Sequence, residues 1–201
     1  MLEVEAKFHV RDLTAVRERL LAVGELKKGR VYERNVVYDT AVGTLRHNEQ
    51  LLRLRQDEDV RLTFKGPAVA AQAQSEAKVR EEIEVHLSDF DDMAQILGKL
   101  GFLPAITYEK YRETFMVGAV EVVLDELPYG DFVELEGPDE ALRAVAEQLG
   151  LNWSRRLITN YLAMLAEVRA AHDLSFTDLT FENFVSVAVD GAALWGDALA
   201  G

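Results

Sequence analysis

Three segments of the sequence carry the pattern Glu-x-Glu, which places two carboxylates on the same side of an extended chain. They are Glu3-x-Glu5, Glu82-x-Glu84 and Glu134-x-Glu136. Residues two apart in a β-strand point to the same face about 7 Å apart, so two such strands side by side can surround a cation. Carboxylate oxygens are the ligands that Mg²⁺ and Mn²⁺ prefer. The chain has no cysteine, so any metal must be held by oxygen or by histidine.

Basic residues occupy the same polar strand faces as the carboxylates. Arg53 and Arg55, for example, alternate with Leu52 and Leu54. Lysine and arginine neutralise phosphoryl oxygens, and carboxylates hold the cations that bridge phosphates or activate an attacking water, so the two together suit phosphoryl transfer. The charged strand residues are Glu3, Glu5, Lys7, Arg53, Arg55, Arg61, Lys65, Arg80, Glu82, Glu84, Lys110, Arg112, Asp125, Glu134 and Glu136.

A repeated unit of strand, helix and glycine positions these residues. Residues 2–10 alternate with period two, as a strand does, and residues 13–21 form a helical apolar stripe that ends at Gly24. The unit recurs about 77 residues later and ends at Gly101, and a third helix follows Pro138. Between these units the sequence predicts short strands that have one apolar and one polar face.

The pattern predicts an α+β fold in which roughly eight strands form a closed antiparallel β-barrel, with helices packed outside and the charged faces lining the lumen. Closure removes the exposed strand edges, and a ligand that carries phosphates and divalent cations compensates the enclosed charges. The alternative is that the charged faces meet water and form cross-strand pairs worth a few tenths of a kcal/mol each.

Composition limits the other possibilities. The chain has 201 residues, of which 49% are hydrophobic, and this predicts one principal domain. Its formal net charge of −13 opposes nucleic-acid binding. The sequence shows neither a secretion signal nor an apolar run long enough to span a membrane, so we expect a cytoplasmic protein without a membrane partner.

The ordered motifs resemble those of the CYTH family, the triphosphate tunnel metalloenzymes, over about residues 1–165. They begin with Glu3-x-Glu5-x-Lys7 at the amino end. In the family's order follow Tyr38-Asp39-Thr40, Leu52-Arg53-Leu54-Arg55, Leu62-Thr63-Phe64-Lys65-Gly66-Pro67, Arg80-x-Glu82-x-Glu84, Lys110-x-Arg112, Leu124-Asp125 and Gly130-x-Phe132-x-Glu134-x-Glu136. The resemblance implies an eight-stranded tunnel that binds a triphosphate and Mg²⁺ or Mn²⁺.

The resemblance also assigns roles to individual residues. As metal ligands it implies Glu3, Glu5, Asp125, Glu134 and Glu136. As triphosphate-binding residues it implies Lys7, Arg53, Arg55, Lys65, Arg80, Lys110 and Arg112. The catalytic set is Glu3, Glu5, Lys7, Glu82 and Glu84, in which Glu82 and Glu84 either bind a metal or orient the basic residues.

The family's activities leave the reaction open. Its members include inorganic triphosphatases, thiamine triphosphatases and class IV adenylyl cyclases. The sequence shows no residue assignable to adenine and no thiamine pocket, so we predict a metal-dependent hydrolase of inorganic or organic triphosphates. Conversion of ATP to cyclic AMP and pyrophosphate is the alternative, followed by a non-catalytic polyphosphate-binding module. The partner is a triphosphate-containing small molecule, and a homodimer is left open.

The carboxyl-terminal residues depart from the family pattern. We predict a tunnel domain over residues 1–170 and an apolar extension over residues 171–201. The extension packs on the barrel or on a partner subunit, or it plugs one mouth of the tunnel. At 160–161 the chain has Asn-Tyr where the family often has Ser-Tyr, and we expect this difference to affect local packing more than chemistry.

Overall fold

The computed structural model describes residues 2–68 and 77–199, with the side chains of residues 2, 3, 68 and 78 excepted. Within these ranges, eight antiparallel strands form one ring-like sheet. They are β1 (Leu2–Val10), β2 (Glu25–Thr40), β3 (Leu51–Gln56), β4 (Val60–Ala68), β5 (Lys78–Leu87), β6 (Phe102–Val117), β7 (Val120–Leu127) and β8 (Gly130–Glu136). The order around the ring is β1-β5-β4-β3-β2-β6-β7-β8, and pairing of β8 with β1 closes it. The predicted arrangement of eight antiparallel strands in one ring is confirmed.

Two strands are longer than the sequence pattern indicated. Both β2 and β6 have 16 residues, and they pair along most of their length with register shifts, one of them between Val37 and Tyr38. The sequence pattern indicates strand at residues 31–35 of β2 and, in β6, from residue 107 to the turn at Gly118. The long β2–β6 ribbon projects beyond the shorter neighbouring strands and leaves part of the β6 edge unpaired by β7.

Helices pack against the outside of the ring, as predicted. They are α1 (Thr14–Val23), α2 (Thr44–His47), α3 (Phe90–Lys99), α4 (Asp139–Gln148), α5 (Tyr161–His172) and α6 (Gly191–Trp195). After α3 and α4, Gly101 and Gly150 adopt φ angles of +89° and +70°, a region that glycine enters without a steric penalty. The chain can therefore leave each of these helices sharply.

The apolar core lies between the outer strand faces and the helices. Ala6, Phe8 and Val10 of β1 pack with Val16 and Leu20 of α1, and the outer residues of β7 and β8 join them against α4. A smaller cluster places α3 on β2 and β3. Because alternate strand residues are buried on the outside, the charged residues between them point inwards.

Helix α5 and the residues after it cover one end of the ring. Met164, Leu165 and Val168 of α5 share a core with Leu179 and Phe184 of the extension. Backbone hydrogen bonds join Leu179 to Thr107 and Glu109 on the projecting part of β6. Residues of the extension therefore contact both α5 and β6. The proposed boundary at residue 170 stays a prediction, and it falls inside α5, which ends at His172.

No helix among the described residues has both the length and the apolar character needed to cross a membrane.

Replacing Leu179 with alanine should destabilise the protein markedly. Leu179 is 0% exposed, so Leu179→Ala leaves a cavity that we expect to lower the free energy of unfolding by about 2–5 kcal/mol. Val185 is 85% exposed in the same extension, so Val185→Ala should change it by less than about 0.5 kcal/mol. Urea denaturation measures both, and equal effects of the two substitutions would contradict docking of the extension on the ring.

Candidate functional site

The interior of the ring encloses a cavity of ≈ 670 Å³. Among the described residues, eight basic and six acidic side chains line it, so the lining has a small excess of positive charge in a chain whose net charge is −13. Its volume lies in the range of small-molecule binding sites. The cavity can therefore receive an anion that the molecule as a whole repels.

Arginines from β3 and β4 form the basic side of the cavity. The β3–β4 register places Arg55 directly opposite Arg61, with Arg53 one inward position away. Glu84 of β5 holds this group together, since its Oε2 accepts hydrogen bonds from Thr63 at 2.7 Å and from Arg55 at 3.4 Å. This geometry favours the interpretation that Glu84 orients the basic residues.

Like-charge crowding on the basic side acts on Arg55. Burial lowers the pKa of Arg55, and the adjacent Arg53 lowers it further, while Glu33 opposes the shift. In the part of the chain that the structure describes, the Nε–H groups of Arg53, Arg55 and Arg61 are buried without a hydrogen-bond partner. A bound anion would relieve this repulsion.

Carboxylates from β1, β7 and β8 form the acidic side. The strand register pairs Glu136 of β8 with Glu5 on one side and with Glu121 on the other. Burial within the cavity wall raises the pKa of Glu136; Lys65 opposes this and Glu121 adds to it, so that the pKa reaches about 7. These carboxylates repel one another, and a cation between them would relieve the repulsion.

A buried hydrogen-bond network joins basic residues of β1 and β6 to the acidic side. Asp125 of β7 is 0% exposed and accepts hydrogen bonds from Lys110 Nζ at 2.9 Å, Arg112 Nε at 2.7 Å and the Tyr161 hydroxyl at 2.8 Å. Arg112 continues to Glu134 at 2.5 Å, and Glu134 also pairs with Lys7. Burial alone would lower the pKa of Lys7, but Glu134 and Glu5 outweigh it and raise that pKa above its ordinary value.

A second chamber of ≈ 250 Å³ lies beyond the arginines. It shares Arg55, Arg61, Arg112 and Glu121 with the main cavity, so these side chains border both spaces. Asp57 Oδ2, whose side chain is buried, accepts from Arg61 Nη2 at 2.5 Å and lies 3.4 Å from Lys28 Nζ.

The structure brings most of the predicted site residues together around the main cavity. Those that line it are Glu5, Lys7, Arg53, Arg55, Lys65, Arg80, Glu82, Glu84, Lys110, Arg112, Glu134 and Glu136. Asp125 lies behind the lining, and coordination of a metal by Asp125 would require it to give up a hydrogen bond to Lys110, Arg112 or Tyr161. Glu3 pairs through its backbone with Arg80, while its side chain lies outside the described part of the structure.

Several lining residues were absent from the predicted set. Glu121 shares its strand face with Asp125, and alternation along β7 was a sufficient signal to include it. Arg61, which had no assigned role, lines both chambers. Tyr108 accepts a hydrogen bond from Arg53 at 3.1 Å. Tyr161 also lines the cavity, and the difference from the family at Asn160 stays a prediction about local packing.

At the end of the ring that α5 covers, the extension packs on the apolar cluster around α5 without lining the cavity. No residue of 173–199 lines either chamber, and the main cavity is lined instead by Asn160, Tyr161 and Leu162 at the start of α5. The extension also contacts the ring directly, since the ring centroid of Trp195 lies 5.7 Å from those of His9 and Phe132.

Residues 1–157 match the model of the CYTH domain family. The chain belongs to the CYTH family. A relative from Methanocaldococcus jannaschii, named "Putative adenylate cyclase MJ0240", is 32% identical over 138 residues, which are 68% of this chain and 77% of that protein.

Solved structures share the CYTH fold of this chain. A protein of Vibrio parahaemolyticus described as "a putative adenylate cyclase" has a TM-score of 0.73 at 25% identity. The match covers 83% of this chain and 98% of that one. HpAC1 from Hippeastrum, named "Putative adenylyl cyclase" and described as having a dominant triphosphatase activity, has a TM-score of 0.60. Its identity of 18%, over 86% of this chain and 98% of that one, shows a common fold alone.

Neutralising Asp125 should destabilise this CYTH protein. Asp125→Asn removes the buried charge that compensates Lys110 and Arg112, so we expect a loss of about 3–5 kcal/mol in the free energy of unfolding. Asp59→Asn is the matched control because Asp59 is exposed, and it should cost less than about 0.5 kcal/mol. Denaturant titration of both variants measures the difference, and a small loss in Asp125→Asn would show that the network is not anchored by this carboxylate.

Proposed function

We propose that this CYTH protein is a metal-dependent hydrolase of triphosphates, inorganic or organic, which bind inside the ring with Mg²⁺ or Mn²⁺. The observation that carries the proposal is the separation of charge within one cavity. Arginines crowd together on β3 and β4, and carboxylates crowd together on β1, β7 and β8. Each crowded group is complementary to one part of a metal-bound triphosphate.

The basic side supplies phosphate binding. The guanidinium groups of Arg53, Arg55 and Arg61 line the cavity and can donate to phosphoryl oxygens, and Lys65 lies on the same inward face of β4. Lys7, Lys110 and Arg112 reach the cavity from β1 and β6. Because a guanidinium group is planar and permanently charged, it can bind two phosphoryl oxygens at once.

The acidic side fits a hard divalent cation in its donor chemistry. Glu5 and Glu136 are cross-strand partners, and Glu121 and Glu134 lie beside them in the lining. Among the described residues no three acidic or histidine side chains form a complete metal site by themselves. Mg²⁺ is commonly held by one or two carboxylates together with substrate phosphates, so Glu5 and Glu136 are a sufficient protein contribution.

Hydrolysis requires positioning and charge neutralisation above all. The arginines hold the triphosphate and balance charge on its oxygens, while an acidic-side carboxylate accepts a proton from the attacking water. Attack at the terminal phosphorus breaks one P–O bond and, with inorganic triphosphate, yields orthophosphate and pyrophosphate. A divalent cation, when bound, would polarise phosphoryl oxygens and neutralise the charge that develops on them. The cavity walls limit access of bulk water to the site.

Adenylyl cyclisation is the second candidate. It is favoured by the name of the Methanocaldococcus jannaschii relative, which shares 32% of its aligned residues with this chain. Cyclisation would use the same phosphate-binding residues but would need the ribose 3′-hydroxyl aligned on the α-phosphorus. HpAC1 has the same fold and a dominant triphosphatase activity, so the fold does not by itself specify cyclisation.

Product analysis separates these candidates. The purified full chain is incubated with inorganic triphosphate and, separately, with ATP, each with Mg²⁺ or Mn²⁺, and all phosphate and nucleotide products are resolved. We expect orthophosphate from inorganic triphosphate without cyclic AMP from ATP. Cyclic AMP together with pyrophosphate would establish the cyclase instead. Binding of inorganic triphosphate without formation of any product would instead indicate a non-catalytic polyphosphate-binding module.

Glu5→Gln should abolish most of the metal-dependent turnover. The substitution removes one carboxylate charge at nearly constant volume, and we expect a loss of roughly a hundredfold or more in kcat, since metal assistance is worth several kcal/mol. Glu140→Gln is the matched control, because Glu140 is exposed on α4, away from the cavity. Full activity of Glu5→Gln at limiting metal concentration would refute the metal-ligand assignment.

Arg53→Ala should mainly weaken triphosphate binding. Loss of a hydrogen bond to a charged group is worth about 1.5–3 kcal/mol, so we expect KM for inorganic triphosphate to rise by about tenfold or more. Arg143→Ala provides the control, since Arg143 on α4 is largely exposed and pairs with Glu147 alone among the described contacts. Steady-state kinetics of both variants tests the assignment, and an unchanged KM in Arg53→Ala would count against it.

A further inference from the structure

Tyr161 is the first residue of α5 and lies beyond residues 1–157, the part of the chain that matches the CYTH model. It is buried, and it lines the main cavity. Its hydroxyl donates a hydrogen bond of 2.8 Å to Asp125 Oδ2. Tyr161 is therefore part of the cavity wall although it comes from a helix outside the ring.

The contacts of Tyr161 converge on the basic residues of the site. Asp125 Oδ2, to which the hydroxyl donates, also accepts from Lys110 at 2.9 Å and from Arg112 at 2.5 Å. The aromatic ring lies 4.1 Å from Lys7 Nζ and 5.3 Å from Lys110 Nζ, both measured to the ring centroid. These distances are within the range of a cation–π interaction.

We propose that Tyr161 is a positioning residue for triphosphate binding: its hydroxyl fixes the Asp125 carboxylate that orients Lys110 and Arg112, and its ring holds the ammonium group of Lys7. This inference rests on the proposed function, because it assigns Tyr161 to the phosphate-binding side of the same site. It makes the site dependent on a segment beyond the matched family domain.

The surroundings of Tyr161 hold the residue in place. Asn160 caps α5 by accepting a hydrogen bond from Ala163 N at 2.9 Å. The buried Tyr129 hydroxyl donates to the Tyr161 carbonyl at 3.0 Å. From outside, Trp195 Nε1 of the extension donates to Glu167 of α5 at 2.8 Å. The tyrosine side chain is thereby presented to Asp125 in a single orientation.

Binding of inorganic triphosphate in the presence of EDTA tests the proposal, because without metal the affinity reports on the basic residues. Isothermal titration calorimetry should show that Tyr161→Phe, which keeps the ring and removes the hydroxyl, raises Kd about tenfold, as expected for one lost hydrogen bond to a charged group. Tyr161→Leu, which also removes the ring, should raise Kd further. In steady-state assays with metal, KM should rise with Kd while kcat changes less.

Tyr38→Phe is the matched control, since Tyr38 is buried in the α3 cluster away from the cavity. All measurements are made well below the thermal unfolding midpoint of each variant. An unchanged Kd in Tyr161→Phe, with wild-type protein that binds triphosphate, would overturn the positioning role and leave the proposed function intact. A wild-type protein that neither binds nor hydrolyses triphosphate would overturn the proposed function and this inference together.

Discussion

The arrangement of the site depends on the compensation of charge inside the ring. Asp125 is fully buried beneath the lining, and it holds Lys110 and Arg112 by hydrogen bonds of 2.5 to 2.9 Å. An isolated charge in such a place would cost several kcal/mol, whereas a hydrogen-bonded set of opposite charges is tolerated. This pairing allows the ring to carry basic side chains in its interior, which are then available to a ligand.

The compensation is incomplete in two regions, and these regions define the candidate site. Arg53, Arg55 and Arg61 retain buried donors without partners within the described ranges, and Glu136 has Glu5 and Glu121 as its cross-strand neighbours. Repulsion within each group is energy that a ligand of opposite charge would recover on binding. A triphosphate with a divalent cation matches both groups, which connects the stability of the ring with its proposed activity.

The helices matter to the site because they cover the outer strand faces. Outward residues of β1, β7 and β8 are buried by α1 and α4, so the same strands can present apolar residues outside and charged residues inside. Helix α5 differs from the others in that its first residue reaches the cavity. The extension packs over α5 and thereby couples the terminal residues to the interior of the ring.

Alternation along the strands was sufficient to predict the strands and the inward direction of residues such as Arg53, Lys65 and Glu134. The direction of a side chain in a strand depends only on its position in the alternating sequence. Alternation could not predict that Asp125 lies behind the lining or that Glu121 meets Glu136, because register between strands decides this. The role of Tyr161 depends on where α5 docks, and that is decided by the apolar contacts of the extension. The sequence thus determined the residue types and their faces; tertiary packing decided which charges compensate one another and which remain for a ligand.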